Sequence, residues 1–174
     1  MVSPPTETTD PGEQSNYSNL LDVLKAEFGF DASMAEKISL DSITTGASIE
    51  SLLTKDNLAS ELNLTQAKAK LNHVPFIELG EVGIYPEALN RLPEGVARNY
   101  KMLPFAMNKD EGTLSVAMAD PLNLSAIDFA QQKTGLRVIA HYAQPSELDR
   151  LLAEYYSQSL SSEVTAALEQ TTQV

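Results

Sequence analysis

Apolar residues recur at helical spacing from Ser18 to about Asn72, and the pattern then changes to mixed strand and helix. Leu20, Leu21, Leu24 and Phe28 share one stripe of a 3.6-residue period, with Ser18 placed to cap the start and Gly29 to end it. Ser33 to Glu36 has capping-box spacing and predicts a second helix. Ile49, Leu52 and Leu53 predict a third, and Leu64, Ala67 and Leu71 a fourth. Stripes this narrow hold only when the short helices pack on one another.

Beyond Val74 the reading is a short strand in VPFIEL, then two short helices around Pro86 and Pro93, both prolines suiting first-turn positions. KMLPFAM and TLSVAMA flank the turn-rich NKDEG and predict a hairpin. A helix from Leu124 to Lys133 ends at Gly135, the strand LRVIAHYA follows, and SELDRLLAEYY places Leu148, Leu151, Leu152 and Tyr155 on one helical face. The interval between strands 113–119 and 136–143 admits a crossover, so these two are expected to be parallel neighbours. The predicted class is α+β. Residues 1–17 read as a disordered polar tail, 18–72 as a small helical subdomain, and 73–157 as a small mixed sheet flanked by helices. Residues 158–174 read as a polar linker with one short helix at Ser162 to Glu169.

Charge narrows the partners. Twenty-four acidic against 12 basic residues give a net charge of −12, which opposes nucleic acid and anionic lipid. No apolar run approaches the ~20 residues of a membrane span, and the N-terminus lacks the basic start and apolar core of a signal peptide. The expected location is cytoplasmic, reaching the membrane only through another protein. There is no cysteine, so neither a disulfide nor a thiolate site enters.

Candidate chemistry is sparse. Asp120 precedes Pro121 at the end of a strand, with Asn123 and Ser125 as natural caps for the next helix, and reads as strand-to-helix punctuation. His73 and His141 lie far apart, at predicted strand positions, without metal-ligand spacing, and read as half-buried. Neither phosphate-binding glycine motif occurs, GEVG at 80–83 reads as a turn, and Met102, Met107 and Met118 read as core. An enzymatic reading would have to use Asp120 or His141; the expectation is no catalytic, cofactor-binding or metal residue.

The stretches LTQAKAKLNHVPFIEL, YPEALNRLPEGVARNYKMLPFA and LSVAMADPLNLSAIDFAQQKTGLRVIAHYAQPSELDRLLAEYY resemble the N-terminal domain of type II secretion and type IV pilus assembly ATPases. The likeness covers about Ser18 to Tyr156 and is most specific at Ala97–Pro104 and in VAMADP…TGLRV. It implies docking to the cytoplasmic domain of an inner-membrane platform protein and regulation of a hexameric motor. ATP and Mg are then expected only in an ATPase core beyond this sequence, with the polar segment after Tyr156 leading to it. Leu20, Leu24 and Phe28 are candidate docking residues, although packing within the domain also accounts for them.

One branch of that family binds cyclic-di-GMP through two helical repeats of the form R-L-G-x-x-L-x-x-x-G, each followed by a Gln. Laid on LLDVLKAEFG, the pattern keeps Leu21, Leu24 or Lys25, and Gly29, but has Leu20 for Arg and Asp22 for Gly. On SIESLLTKDN it has Ser48 for Arg, Glu50 for Gly and Asn57 for the last Gly, with Leu71 where Gln is expected. The packing positions survive while the Arg is lost, and acid at two glycine positions repels a dianion. A diverged nucleotide sensor is the alternative reading. Calorimetry is expected to show no tight cyclic-di-GMP binding; a sub-micromolar Kd would overturn this.

Overall fold

The computed structural model describes residues 16–157. Of the tail expected to be disordered over residues 1–17, residues 1–15 lie outside these, as does the expected linker with a helix at 162–169; Tyr17 is described, its hydroxyl donating to Glu27. The elements are α1 (Leu20–Phe28), α2 (Ala32–Thr45), α3 (Ile49–Lys55), α4 (Glu61–Leu71), α5 (Pro86–Leu89), α6 (Glu94–Tyr100), β1 (Met102–Asn108), β2 (Thr113–Met118), α7 (Leu124–Thr134) and β3 (Arg137–Tyr142). A further helix, α8, follows over residues 145–157. The α+β class is as expected.

Each of the four N-terminal helices starts on a side chain that accepts a backbone N–H: Asn19, Asp31, Ser48 and Ser60. The first two correct the sequence expectation. Asn19, not Ser18, caps α1, and Asp31 takes the Met34 N–H at 2.8 Å, which places Ser33 inside α2. Gly29 ends α1 at φ 64°, a conformation that penalises any side chain. α3 turns out at Asn57 with φ 50°, so asparagine holds the left-handed corner where the repeat pattern has glycine.

In the second half, β1 and β2 form the expected hairpin, with a bulge between Pro104 and Ala106. β2 and β3 pair in parallel through the α7 crossover, giving the order β1-β2-β3. The predicted strand VPFIEL contracts to one bridge, Phe76 with Tyr142. Pro75 has no N–H to give a ladder, and the chain turns again where Glu81 N–H meets Glu78 O. Pro86 opens α5 as expected, whereas Pro93 is the N-cap of α6. Both sheet edges are partly occupied. Tyr85 N–H donates to Phe105 O at 2.9 Å on β1, and Val138 N–H donates to the Gln131 side chain at 3.0 Å on β3.

Buried apolar side chains fall into two clusters. One joins Leu20, Leu21, Val23, Leu24, Ala35, Ile38, Leu53, Leu64 and Ala67. The other gathers around Met102, Leu103, Leu114, Val116, Met118, Leu148 and Leu152. In α8 it is Tyr156 that is buried, its hydroxyl donating to Leu92 O at 3.2 Å, while the predicted Tyr155 is only half-buried.

Between the clusters the joint is largely polar. Asn72 Nδ2 donates to the Tyr142 hydroxyl at 3.2 Å, and Lys68 Nζ stands 5.8 Å over the Tyr142 ring. Tyr142 N–H donates to Pro75 O, and Ile77 N–H to Tyr142 O, both at 2.8 Å. Glu61, in the first turn of α4, accepts from Ser146 N–H at 3.0 Å and from the Ser146 hydroxyl, capping the start of α8 from a distant part of the chain.

Tyr142→Phe removes only the joint's hydroxyl and is expected to lower stability by about 0.5–1.5 kcal/mol. Leu53→Ala, in the centre of the helical cluster, is expected to cost about 2–5 kcal/mol. Urea denaturation measures both; an unchanged midpoint for Tyr142→Phe would show that the Asn72 bond does not hold the joint.

Candidate functional site

The residues singled out by sequence separate in space and role. Asp120 Oδ1 accepts Leu122 N–H at 3.2 Å, an Asx turn, and Asn123 then caps α7 by accepting Ala126 N–H at 3.1 Å. Ser125, the other proposed cap, lies within α7. His141 is half-buried on β3, its ring edge-on to Phe105 at 5.2 Å. Its Nδ1 lies 3.0 Å from Ile139 O, and because a carbonyl only accepts, Nδ1 carries the proton. Burial pushes the His141 pKa below 6.5, opposed in part by the Ile139 and Val116 carbonyls. His73 departs from expectation: it is exposed, lies on no strand, and ends α4 at φ 53°. Among the described residues no three His, Asp or Glu side chains are grouped to hold a metal ion.

Leu20 and Leu24 are buried in the helical cluster, and Phe28 is half-buried at its rim. Phe28 instead helps to line a groove of about 730 Å³ between the end of α1, α4 and the connection at 73–76. Tyr17, Phe28 and Phe76 line it together with Gln66, Lys70 and His73. One wall is braced by Glu27, which accepts from Lys70 Nζ at 2.7 Å and from the Tyr17 hydroxyl at 2.6 Å. The Lys70 bond, then the Tyr17 bond, hold the Glu27 carboxyl below its ordinary pKa of 4.5. No sequence motif announces this groove, because its walls come from residues far apart in the chain.

The positions that differ from the cyclic-di-GMP pattern are also placed. Asp22 pairs with Lys25 at 3.2 Å, Ser48 is spent as the α3 cap, and Glu50 pairs with Lys68 at 2.8 Å. Both carboxylates thus serve ion pairs.

The sequence model of the MshEN domain matches residues 72–162. This chain belongs to the MshEN domain family. The domain is 30% identical over 111 residues to the type IV pilus assembly ATPase PilB of Thermus thermophilus, covering 64% of this chain and 12% of that protein. It is 25% identical over 122 residues to the type II secretion system protein E of Xanthomonas campestris pv. campestris, covering 68% of this chain and 21% of that protein. The chain therefore spans a small part of the curated relatives it matches. Among solved structures, that of MshE with cdg shares the fold at a TM-score of 0.64 and 24% identity, over 80% of this chain and all of that one. The N-terminal domain of XpsE shares it at 0.54 and 21% identity, over 76% of this chain and 90% of that one. The likeness to the N-terminal domain of secretion and pilus-assembly ATPases, first seen in the sequence, holds for this MshEN domain. No helix among the described residues is long and apolar enough to cross a membrane.

Two acid responses are expected of this MshEN domain. His141 protonates less readily folded than unfolded, so stability falls as pH drops below about 6.5 and levels off beneath the folded pKa. Glu27 is more acidic folded than unfolded, so its contribution is full above about 4.5 and is lost as pH falls through the depressed value. Thermal unfolding against pH should show the first slope flattened in His141→Gln and the second in Glu27→Gln; unchanged profiles would refute the assignments.

Proposed function

We propose that this MshEN domain is a non-catalytic docking and regulatory module of a type II secretion or type IV pilus assembly ATPase. In this reading it works in the cytoplasm and links a hexameric motor to the cytoplasmic part of an inner-membrane platform protein. Family membership is the observation that carries it. Supporting it, the 174 residues contain no glycine-rich phosphate motif, and the carboxylates at the end of β2 and at the joint act as turn and cap. A two-cluster body joined by a few polar bonds suits the passing of position between a platform and a motor. ATP and Mg then belong to the ATPase core of such a protein, and this domain itself uses neither.

A second reading, a diverged nucleotide sensor, draws on the groove beside Phe28, Phe76 and Lys70 and on the MshE relative solved with cdg. The losses at Leu20 and Ser48 and the acids at Asp22 and Glu50 weigh against a cyclic-di-GMP-type ligand in the family's manner.

The purified chain is expected not to hydrolyse ATP and to bind the cytoplasmic domain of a platform protein from the same source in biolayer interferometry. ATP turnover, or no binding, would refute the docking reading. A nucleotide thermal-shift screen decides the second, since a ligand at 100 times its Kd stabilises by about 2.7 kcal/mol.

A further inference from the structure

The groove beside Phe28 and Phe76 has the chain's own N-terminal segment at its wall. Tyr17 lines the groove and is half-buried, whereas Asn16 and Ser18 on either side of it are exposed. The Tyr17 hydroxyl is tied to Glu27 at 2.6 Å, so the chain enters the described residues at the groove itself. From Tyr17 back to Pro11 is six residues, which span up to about 20 Å. That is ample for a groove of about 730 Å³.

The composition of the segment suits this place. It holds Pro4, Pro5 and Pro11, and proline-rich backbone packs on aromatic side chains with little loss of entropy because it is extended beforehand. Tyr17, Phe28 and Phe76 supply such side chains. The segment also carries Glu7, Asp10 and Glu13 and no Lys, Arg or His, which limits where it can settle on a chain of net charge −12. The cavity lined by Asp31, the one lined by Glu87, and the one lined by Glu50, Glu61 and Lys68 each hold an excess of acid. In the groove the lining acid is Glu27, and Lys70 matches it at 2.7 Å. The Lys70 side chain stays half-exposed with N–H donors to spare, and exposed His73 lines the groove as well.

We propose that residues 1–15 fold back over this groove, with Pro11 against Phe28 and Phe76 and with Asp10 and Glu13 toward Lys70 and His73. The groove is then masked by the domain's own N-terminal segment. Any ligand or partner that uses the groove competes with a tethered occupant, and its apparent affinity falls by the fraction of molecules in which the groove is open. The proposal does not depend on the docking reading.

The 174-residue chain has no cysteine, so Thr9→Cys gives a single site for a nitroxide spin label, read by NMR. The label is expected to broaden the amide signals of Phe28, Lys70 and Phe76. Pro11→Gly combined with Asp10→Lys and Glu13→Lys should relieve most of that broadening. Gln66→Glu, which puts an acid into the groove lining, should relieve part of it. Starting the chain at Asn16 should shift the unlabelled signals of the same three residues. Both apolar clusters lie within the described residues, and the unfolding midpoint checks that each variant folds. Absence of broadening overturns the proposal, as does broadening that the triple variant leaves unchanged, which is proximity of the tether alone. Broadening of an isotope-labelled chain by the spin label of another chain also overturns it, in favour of a second copy. None of these readings involves the platform domain, so this proposal and the docking reading fail separately.

Discussion

Tyr142 is the point through which the two halves of this domain are held together. Its backbone pairs with residues 75–77, its hydroxyl accepts from Asn72, and its ring lies beneath Lys68. Burial, and the negative charge of Asp120, raise its phenolic pKa, so it stays neutral and keeps its hydroxyl hydrogen. One residue at the end of β3 thus fixes where α4 ends and where the connection out of the helical half runs. Beside it, Glu61 anchors the start of α8. A displacement of α4 would reach both the sheet and the last described helix through these contacts.

Much of the fold was legible because its signals are local. The hairpin shows in two apolar runs around NKDEG, α1 in its stripe and Gly29, and the crossover in the interval between β2 and β3. The errors have local causes as well. Ser18 and Ser33 look like caps, but Asn19 and Asp31 stand within two residues and are equally able acceptors, and nothing in the sequence ranks them. VPFIEL has strand composition, yet a strand needs a partner along its length, and β3 offers one residue. His73 was misplaced because a non-glycine residue at positive φ leaves no mark in the sequence. The joint was beyond reach: Asn72 and Tyr142 are separated by 70 positions, and Glu61 and Ser146 by 85.

The candidate site shows the same division. Asp120 could be read as punctuation because its neighbours Pro121 and Asn123 explain it. The groove could not be read at all, since Phe28 and Phe76 come to line one space only after α1 and α4 have packed. At the family's repeat positions the substitutions follow physical lines. Asn57 keeps a glycine's left-handed corner, so the helix turn survives, whereas Asp22 and Glu50 change the local charge and are absorbed into ion pairs with Lys25 and Lys68.

The treatment of the sheet's edges also bears on how the molecule meets others. On β3, the Val138 N–H is occupied by Gln131 and both backbone groups of Tyr142 by the 75–77 segment, leaving Ala140 between two closed positions. On β1, Pro104 has no N–H and Phe105 O is taken by Tyr85. These contacts narrow what either edge offers to an incoming strand, most fully on β3. A sheet of three strands with its edges partly occupied in this way offers other molecules little continuous backbone, and most of its exposed surface is helical.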